Sequence, residues 1–241
     1  MVSNDPKAQG MFVSRWQGAM NMLKAKSAGI DYVYIRSTVG DYYTDPRYYE
    51  NVQKCIDAEL LQFPVHIVSG TVNHQAQIEH LLDVTQDTRG DGIVILDAEL
   101  NHKDLWFRTL DMAGALAVLN QVPPVIYTAQ WVETNRPGEA HKDLGAYPLS
   151  VADYRTGITD PKLPSAWSDW FDWQYEADGN GRGAEFGASS PDISLHVWEG
   201  GLAHLRLFLL LDDPIEPATV ALPADLSMLD IALLLERDKR A

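Results

Sequence analysis

Short apolar runs alternate with longer amphipathic segments along this chain, and the alternation limits the folds open to it. The runs are rich in Val, Ile and Tyr, whereas the segments between them place apolar residues at helical spacing. Such alternation is typical of strand–helix–strand units with parallel strands. The sequence predicts strands at residues 11–14, 31–37, 64–68, 93–97 and 123–128, with helices at 19–28, 46–60, 74–86 and 104–120 between them.

Residues at the helix ends support these boundaries. Gly29 follows the first helix, in the position where a glycine commonly ends a helix. Asp45 is expected to cap the second helix, with Pro46 in its first turn. Asn73 is expected to cap the third. The first three helices are therefore predicted both from their periodicity and from a residue at one end.

The pattern weakens after Tyr127, where Gly-, Pro- and Trp-rich stretches surround weaker predicted strands at 147–153, 171–175 and 193–197. We therefore expect an α/β fold, an irregular TIM-like (β/α) barrel of five regular units followed by three weaker strands. An open doubly wound sheet has the same local pattern. With 241 residues, 46% of them hydrophobic, the chain can bury one large core.

Residues 1–200 are expected to form this barrel domain and residues 201–241 an extension. The extension is Leu-rich at 202–211 and amphipathic at 226–240. We expect it to pack on the barrel or on an oligomer or assembly partner.

Charge, cysteine content and the first ten residues limit the partners, the cross-links and the location expected for this chain. A formal net charge of −15 argues against nucleic acid, because phosphate binding depends on clustered Lys and Arg. Cys55 is the single cysteine, so no internal disulfide can form. Residues 1–10 are polar and contain no apolar run for a signal peptide or membrane span. We expect synthesis in the cytoplasm and, for a target outside the cell, delivery by another agent.

Asp97 and Glu99 are the first candidates for chemistry. Residues two apart on a strand project from the same face, with Cα atoms about 6.6 Å apart, and this strand is the most continuous apolar run. In parallel barrels the carboxyl ends of the strands carry the catalytic residues. Two crowded carboxylates retain a proton, which a general acid needs to cleave a glycosidic bond. Alternatively, Asp97 caps a turn and Glu99 forms a surface salt bridge.

Further short motifs occur around this pair in a fixed order. They are Val13-Ser-Arg-Trp-Gln-Gly18, Gly29-Ile-Asp-Tyr-Val-Tyr-Ile-Arg-Ser-Thr-Val-Gly40, Val65-His-Ile67, Leu96-Asp-Ala-Glu99, Val125-Ile-Tyr-Thr128 and Asp172-Trp-Gln-Tyr175. Together, over roughly residues 10 to 200, they resemble the family 25 glycoside hydrolases, the Chalaropsis-type lysozymes or N-acetylmuramidases. Asp192, in Pro191-Asp-Ile193, lies where the family has a further acidic residue.

The resemblance implies a peptidoglycan hydrolase that needs no cofactor. It would cleave the β-1,4 bond between N-acetylmuramic acid and N-acetylglucosamine in glycan strands at the bacterial cell wall. Glu99 would be the general acid and base, with Asp97 assisting, and Asp192 would be a third catalytic candidate. Without a signal peptide, a phage-encoded lysin is the expected source.

Several side chains are candidates for binding the sugar. Aromatic faces stack on pyranose rings, although core packing explains each aromatic residue equally well. His66 is expected to donate hydrogen bonds near the carboxylates, and the histidine spacings match no metal motif. The substrate-binding candidates are Trp16, His66, Tyr127, Tyr154, Trp173 and Tyr175.

The chain departs from the family pattern at three positions. Phe12 stands where the family has an active-site Asp, Arg15 where it has His, and Ser150 where it has Trp. The rival hypothesis is therefore a barrel that has lost turnover and acts as a glycan-binding or structural domain, for example in a phage tail or baseplate. A cavity filled by Phe12 would favour the rival, and an open groove to the carboxylates would favour the enzyme.

Overall fold

A computed structural model describes residues 7–86, 88, 93–120, 122–135 and 138–209. Nine strands are found in this part of the chain, and all of them join one sheet. The strands are β1 (Gln9–Val13), β2 (Tyr32–Val39), β3 (Tyr43–Thr44), β4 (Leu61–Ile67), β5 (Ile95–Asp97), β6 (Val125–Thr128), β7 (Leu149–Ala152), β8 (Asp172–Glu176) and β9 (Ser194–Trp198).

Eight of these strands close into a barrel. The order β1-β9-β8-β7-β6-β5-β4-β2 is closed by pairing of β1 with β2, and β3 only extends β2 as a short antiparallel hairpin. The predicted irregular barrel is confirmed, and the open sheet is excluded. One direction was not predicted: β9 runs antiparallel to both of its neighbours, β1 and β8.

Among the described residues, six α-helices lie between strands in the first two thirds of the chain, and a seventh follows the last strand. They are α1 (Met22–Ser27), α2 (Tyr48–Asp57), α3 (His74–Thr85), α4 (Leu105–Asn120), α5 (Gln130–Asn135), α6 (Ala140–Asp143) and α7 (Leu202–Leu209), with 3₁₀ turns at Arg15–Gln17 and Leu144–Ala146. Between β7 and β9 the described residues form loops around β8 without a helix. No helix among the described residues is long and apolar enough to span a membrane.

The predicted helix ends are partly correct. Asn73 caps α3 by accepting a hydrogen bond from the backbone N–H of Gln75, and Gly29 follows α1 with φ +94°. The prediction for Asp45 is wrong, because α2 begins three residues later at Tyr48. The Asp45 carboxylate is buried. Its Oδ1 accepts a hydrogen bond from the backbone N–H of Arg47, just before the helix, and its Oδ2 accepts from the backbone of Arg15 and from the side chain of Arg36.

Alternation along the strands divides the core into two layers. Tyr32, Phe63 and Trp198 point into the barrel at the end where the parallel strands begin. The Tyr32 ring meets the other two rings edge to face, with centroid distances of 6.0 Å to Phe63 and 6.3 Å to Trp198. Met11 and Val33 point outward and pack under the helices. The end of the barrel where the parallel strands begin is therefore filled by side chains.

The helix α7 packs against the barrel. The Phe208 ring lies 5.1 Å from that of Trp198 and 5.3 Å from that of Phe171, measured between centroids. This contact fits the predicted Leu-rich packing segment. The predicted helix at 226–240 lies outside the described residues, and the domain boundary at residue 200 stays a prediction.

Candidate active site

A cavity of about 180 Å³ opens at the carboxyl ends of the barrel strands. Its wall combines apolar side chains with several charged and polar ones, as expected of a small-molecule site. Because β9 runs antiparallel to its neighbours, the first residues of β9 lie at this same end of the barrel. The lining residues are Phe12, Tyr34, Arg36, Val65, Ile67, Ile95, Asp97, Glu99, Tyr127, Gln174, Asp178, Ser194 and His196.

Asp97 and Glu99 both line this cavity, as their spacing predicted. The backbone continues the sheet past β5, because Ala98 N–H donates to the carbonyl of Tyr127. Asp97 is partly accessible, yet its Oδ1 atom is enclosed and has no hydrogen-bond partner among the described residues. Burial raises the pKa of Asp97 well above its ordinary value, and the charge of Glu99 raises it further.

Arg36, the one arginine in the cavity wall, opposes the rise in the pKa of Asp97. Its guanidinium lowers the pKa of Asp97, although burial and Glu99 outweigh it. The arginine is held from behind by Asp45, with Nε 3.0 Å from Oδ2. The site therefore combines a proton-retaining carboxyl pair with a fixed cation.

Tyr127 extends the polar wall next to the carboxyl pair. Its hydroxyl donates to Oε1 of Gln174 at 2.5 Å and lies 3.4 Å from the hydroxyl of Tyr154. Burial, followed by the charge of Glu99, raises the pKa of Tyr127 well above its ordinary value, which keeps the phenol neutral. Tyr154 lines a neighbouring depression of about 330 Å³ with Trp131 and Lys162. The two tyrosines thus connect the cavity to an adjoining surface groove.

The third carboxylate at the cavity is Asp178, whereas the sequence predicted Asp192. Asp192 does not line the cavity, and its backbone N–H donates to Ser190 in a loop. Two residues further on, Ser194 begins β9 and faces inward, and its hydroxyl donates to Asp178 at 3.1 Å. Gln17 also donates to Asp178, at 3.3 Å. Sequence analysis missed Asp178 because it lies on a loop beyond β8, where no strand periodicity fixes the direction of the side chain.

One further carboxylate, that of Asp172, lies in the barrel interior next to the cavity residue His196. The Asp172 carboxylate is fully buried and accepts hydrogen bonds from Tyr32, Ser150 and His196. The bond from His196 joins Nδ1 to Oδ2 at 2.9 Å. Ser150, at which the resemblance predicts a departure from the family's tryptophan, takes part in this network through its hydroxyl.

Phe12 lies in the cavity wall and does not fill the cavity. It faces the barrel interior beside Ser194, its partner on β9. At this position the cavity wall therefore has a phenyl ring and not the carboxylate that the family resemblance predicts. The space in front of Asp97 and Glu99 stays open.

Three predicted sugar-binding residues lie away from the cavity. His66 is fully buried on the outer face of β4, where Thr38 and Gln77 bind its two ring nitrogens, so the expectation that it lies near the carboxylates is wrong. Trp173 and Tyr175 are absent from the cavity wall and pack on each other with ring centroids 6.2 Å apart. Strand alternation places both on the face opposite Gln174.

Trp16 remains a candidate by position. It lies on the 3₁₀ turn after β1, and 62% of it is exposed. The Arg15 guanidinium stacks on its ring, 4.4 Å from the centroid. Its exposed ring lies at the same end of the barrel as the cavity.

Known proteins resemble this chain in sequence. The family model for glycosyl hydrolases family 25 matches residues 12–184. Lysozyme M1 of Streptomyces globisporus is 26% identical over 216 residues, covering 82% of this chain and 69% of the relative. The uncharacterized protein YegX of Escherichia coli K12 is 27% identical over 210 residues, covering 83% and 72%.

Solved structures agree in fold. The bacterial lysozyme from Streptomyces coelicolor superposes with a TM-score of 0.71 at 24% identity, covering 85% of this chain and 97% of that one. The muramidase from Acremonium alcalophilum gives a TM-score of 0.70 at 20% identity, covering 85% and 100%.

Proposed function

We propose that this chain, which belongs to family 25 of the glycosyl hydrolases, is a muramidase that cleaves the β-1,4 bond between N-acetylmuramic acid and N-acetylglucosamine. Family membership supports a glycoside hydrolase that acts on peptidoglycan of the cell wall. The observation that carries the finer proposal is the pair Asp97 and Glu99 on one wall of an open cavity.

The pair supplies the proton for the reaction. Two interacting carboxyl groups titrate as a unit, so the proton can move between them. In the free protein, burial favours protonation of Asp97. When the N–H of a sugar's 2-acetamido group donates to Asp97, it stabilises the charged carboxylate. The proton is then available on Glu99, next to the glycosidic oxygen.

Cleavage proceeds in two steps. In the first, Glu99 protonates the glycosidic oxygen, the bond between that oxygen and the anomeric carbon breaks, and the acetamido oxygen forms a new bond to the same carbon. Asp97 holds the amide N–H and stabilises the positive charge of the cyclic intermediate. In the second step, the Glu99 carboxylate takes a proton from water, and the water oxygen attacks the anomeric carbon. The bond between that carbon and the acetamido oxygen breaks, which restores the acetamido group.

Asp178 takes the place proposed for Asp192 as the third acidic residue. Ser194 and Gln17 fix its carboxylate at the cavity wall. There it adds negative charge next to the sugar ring, where positive charge develops in the transition state. Tyr127 and Tyr154 provide aromatic surface along the adjoining groove.

The first experiment measures release of reducing ends from purified, N-acetylated peptidoglycan. We expect wild-type protein to release reducing ends and Glu99→Gln to release none, because the amide cannot donate an acidic proton. The matched control is Glu139→Gln, which removes an exposed carboxylate that forms an ion pair with Lys142, and it should keep full activity. Hydrolysis by Glu99→Gln at the wild-type rate would contradict the proposal.

Phe12→Asp tests the rival hypothesis in the same assay. If wild type and Glu99→Gln are both silent while Phe12→Asp gains activity, the barrel has lost turnover and serves in binding or assembly. Activity in wild type excludes that alternative.

A further inference from the structure

The groove beside the cavity differs from the cavity in the sign of its charge. Three carboxyl groups and one arginine line the cavity. Of the described residues, one carboxylate and two cations line the groove, which has a volume of about 330 Å³. The residues that line the groove are Gln130, Trp131, Ala152, Asp153, Tyr154, Arg155 and Lys162. An anionic ligand is therefore disfavoured in the cavity and attracted to the groove.

Lys162 carries the uncompensated charge of the groove. The Asp153 carboxylate binds the Arg155 guanidinium, with 2.9 Å from Nε to Oδ1 and 2.6 Å from Nη2 to Oδ2, so these two charges offset each other. The Lys162 ammonium has no carboxylate within ion-pair distance in the part of the chain that the structure describes. The groove therefore presents one positive charge that is available to a ligand.

The backbone of Lys162 is anchored at the groove wall. Its N–H donates to Oδ2 of Asp153 at 2.7 Å, which closes the loop 153–162. Asp153 directly follows β7, and its side chain is only 8% exposed. Pro161 precedes Lys162 and restricts the backbone further. One buried carboxylate thus fixes the position from which both cations project.

The groove is continuous with the cavity. Tyr127 lines the cavity and Tyr154 lines the groove, and their hydroxyl oxygens lie 3.4 Å apart. Trp131 and Tyr154 add aromatic surface to the groove, with 46% and 44% of each residue exposed. A ligand seated in the cavity can therefore extend into the groove while remaining in contact with the protein.

One part of peptidoglycan has the chemistry that the groove would bind. The glycan itself is uncharged, because the lactyl carboxyl of N-acetylmuramic acid is used in the amide bond to the peptide stem. The stem carries free carboxylates, on its glutamate residue and at its end, together with the methyl groups of its alanines. A stem of four residues spans up to about 14 Å when extended. The stem is thus long enough to lead from a sugar in the cavity into the adjoining groove.

We propose that the groove binds the peptide stem of the substrate, with Lys162 as the ion-pair partner of a stem carboxylate and with Trp131 and Tyr154 in contact with stem alanines. This inference rests on the proposed function. It makes Lys162 a specificity-determining residue, because the groove favours glycan whose stems keep their negative charge. Arg155, already paired with Asp153, belongs to the wall that holds Lys162 in place.

Two substrates that differ only in stem charge test this inference. An endopeptidase that cuts the cross-links releases soluble glycan–peptide chains, which are then N-acetylated and freed of phosphate polymers. Carbodiimide and methylamine convert the stem carboxylates of one portion into neutral amides. We expect wild-type protein to have a KM about threefold lower on the charged chains, with similar kcat on both. The difference should disappear at about 1 M salt, where the Debye length is about 3 Å.

Three variants separate the groove from the overall charge of the protein. Lys162→Glu should raise KM on the charged chains by about five- to tenfold, because attraction becomes repulsion, and should leave KM on the amidated chains unchanged. Lys162→Arg keeps the charge and should retain the wild-type preference. The matched control is Lys24→Glu, an equal change of charge on α1, which lies between β1 and β2, across the barrel from β6 and β7. It should behave as wild type.

The outcomes distinguish this inference from the proposed function. Equal KM of wild type on both substrates, an unchanged preference in Lys162→Glu, or an equal loss in Lys24→Glu would overturn the role of Lys162. A preference found only before removal of the phosphate polymers would assign the groove to phosphate and overturn the stem as its ligand. If wild type hydrolyses neither substrate, the proposed function fails. Retention of the protein on insoluble peptidoglycan before and after amidation, with and without Lys162→Glu, then decides the inference by binding alone.

Discussion

Glu99→Gln should make the protein more stable at neutral pH while removing its activity. The folded protein holds the pKa of Asp97 above its ordinary value, first by burial and then by the charge of Glu99. The folded state therefore binds this proton more tightly than the unfolded state. Stability falls as the pH rises from the unfolded pKa, about 3.9, towards the folded pKa, and stays low above it. Removing the charge of Glu99 removes one of the two causes.

The magnitude follows from the strand geometry. If the two charges have the ideal Cα spacing of about 6.6 Å, they repel by about 2.5 kcal/mol at an effective dielectric constant of about 20. Because the pair can take up a proton to relieve the repulsion, this is an upper bound. We expect a gain of up to about 2 kcal/mol in the free energy of unfolding, or about 4 to 8 °C in melting temperature.

The assay is denaturant unfolding at several values between about pH 3.5 and pH 7.5, with Glu139→Gln as the control. Glu139 is exposed and its pKa is lowered by Lys142, so its loss should not stabilise the protein. The gain for Glu99→Gln should be present at the upper end of this range and absent at the lower end. Equal stability of Glu99→Gln and wild type at neutral pH would refute the coupling of the pair.

Three further predictions concern single side chains. Asp178→Asn should lower kcat/KM by about ten- to a hundredfold with little change in melting temperature, and an unchanged rate would remove Asp178 from the site. Burial raises the pKa of Cys55 to about 12, so a thiol reagent should label Cys55 only after denaturation, and rapid native labelling would contradict its burial. Burial lowers the pKa of His66 from 6.5 to about 4, so the unfolded state binds this proton more tightly and stability falls as the pH drops through that window. Thermal unfolding of His66→Gln should show a flatter curve there, and a curve parallel to wild type would contradict this.

The barrel and the carboxyl pair could be predicted because both depend on local periodicity. The strand ending in Asp97 is a continuous apolar run, and its spacing alone places Glu99 on the same face. The same rule, applied to β8, separates Trp173 and Tyr175 from Gln174. This alternation can be read from the sequence, and it assigns Trp173 and Tyr175 to the face of β8 that points away from the cavity.

The direction of β9 had a weaker signal. A parallel return requires a crossover of a dozen or more residues, usually a helix, whereas an antiparallel strand needs only a turn or loop. Between Glu176 and Ser194 the chain is Gly- and Ser-rich and shows no helical spacing. The connection from β7 to the parallel strand β8 also lacks a helix, so the absence of a helix pattern does not by itself fix the direction of β9. The reversal brings Ser194 to the end of the barrel that carries the cavity.

The remaining site residues depend on contacts between distant segments. Asp178 faces the cavity because Gln17, 161 residues away, and Ser194 bind it from two strand ends. Asp172 and His196 meet across adjacent antiparallel strands, in a register fixed by the barrel. Local sequence patterns carry no information on such pairings.

The most direct test of the central claim identifies the sugar at the new reducing end. Peptidoglycan is digested with wild-type protein or with Glu99→Gln, the reducing ends are converted to alditols with borohydride, and the hydrolysed products are identified by mass spectrometry. The account predicts N-acetylmuramitol for wild type and no new alditol for Glu99→Gln. New N-acetylglucosaminitol, or the same N-acetylmuramitol from both proteins, would contradict it.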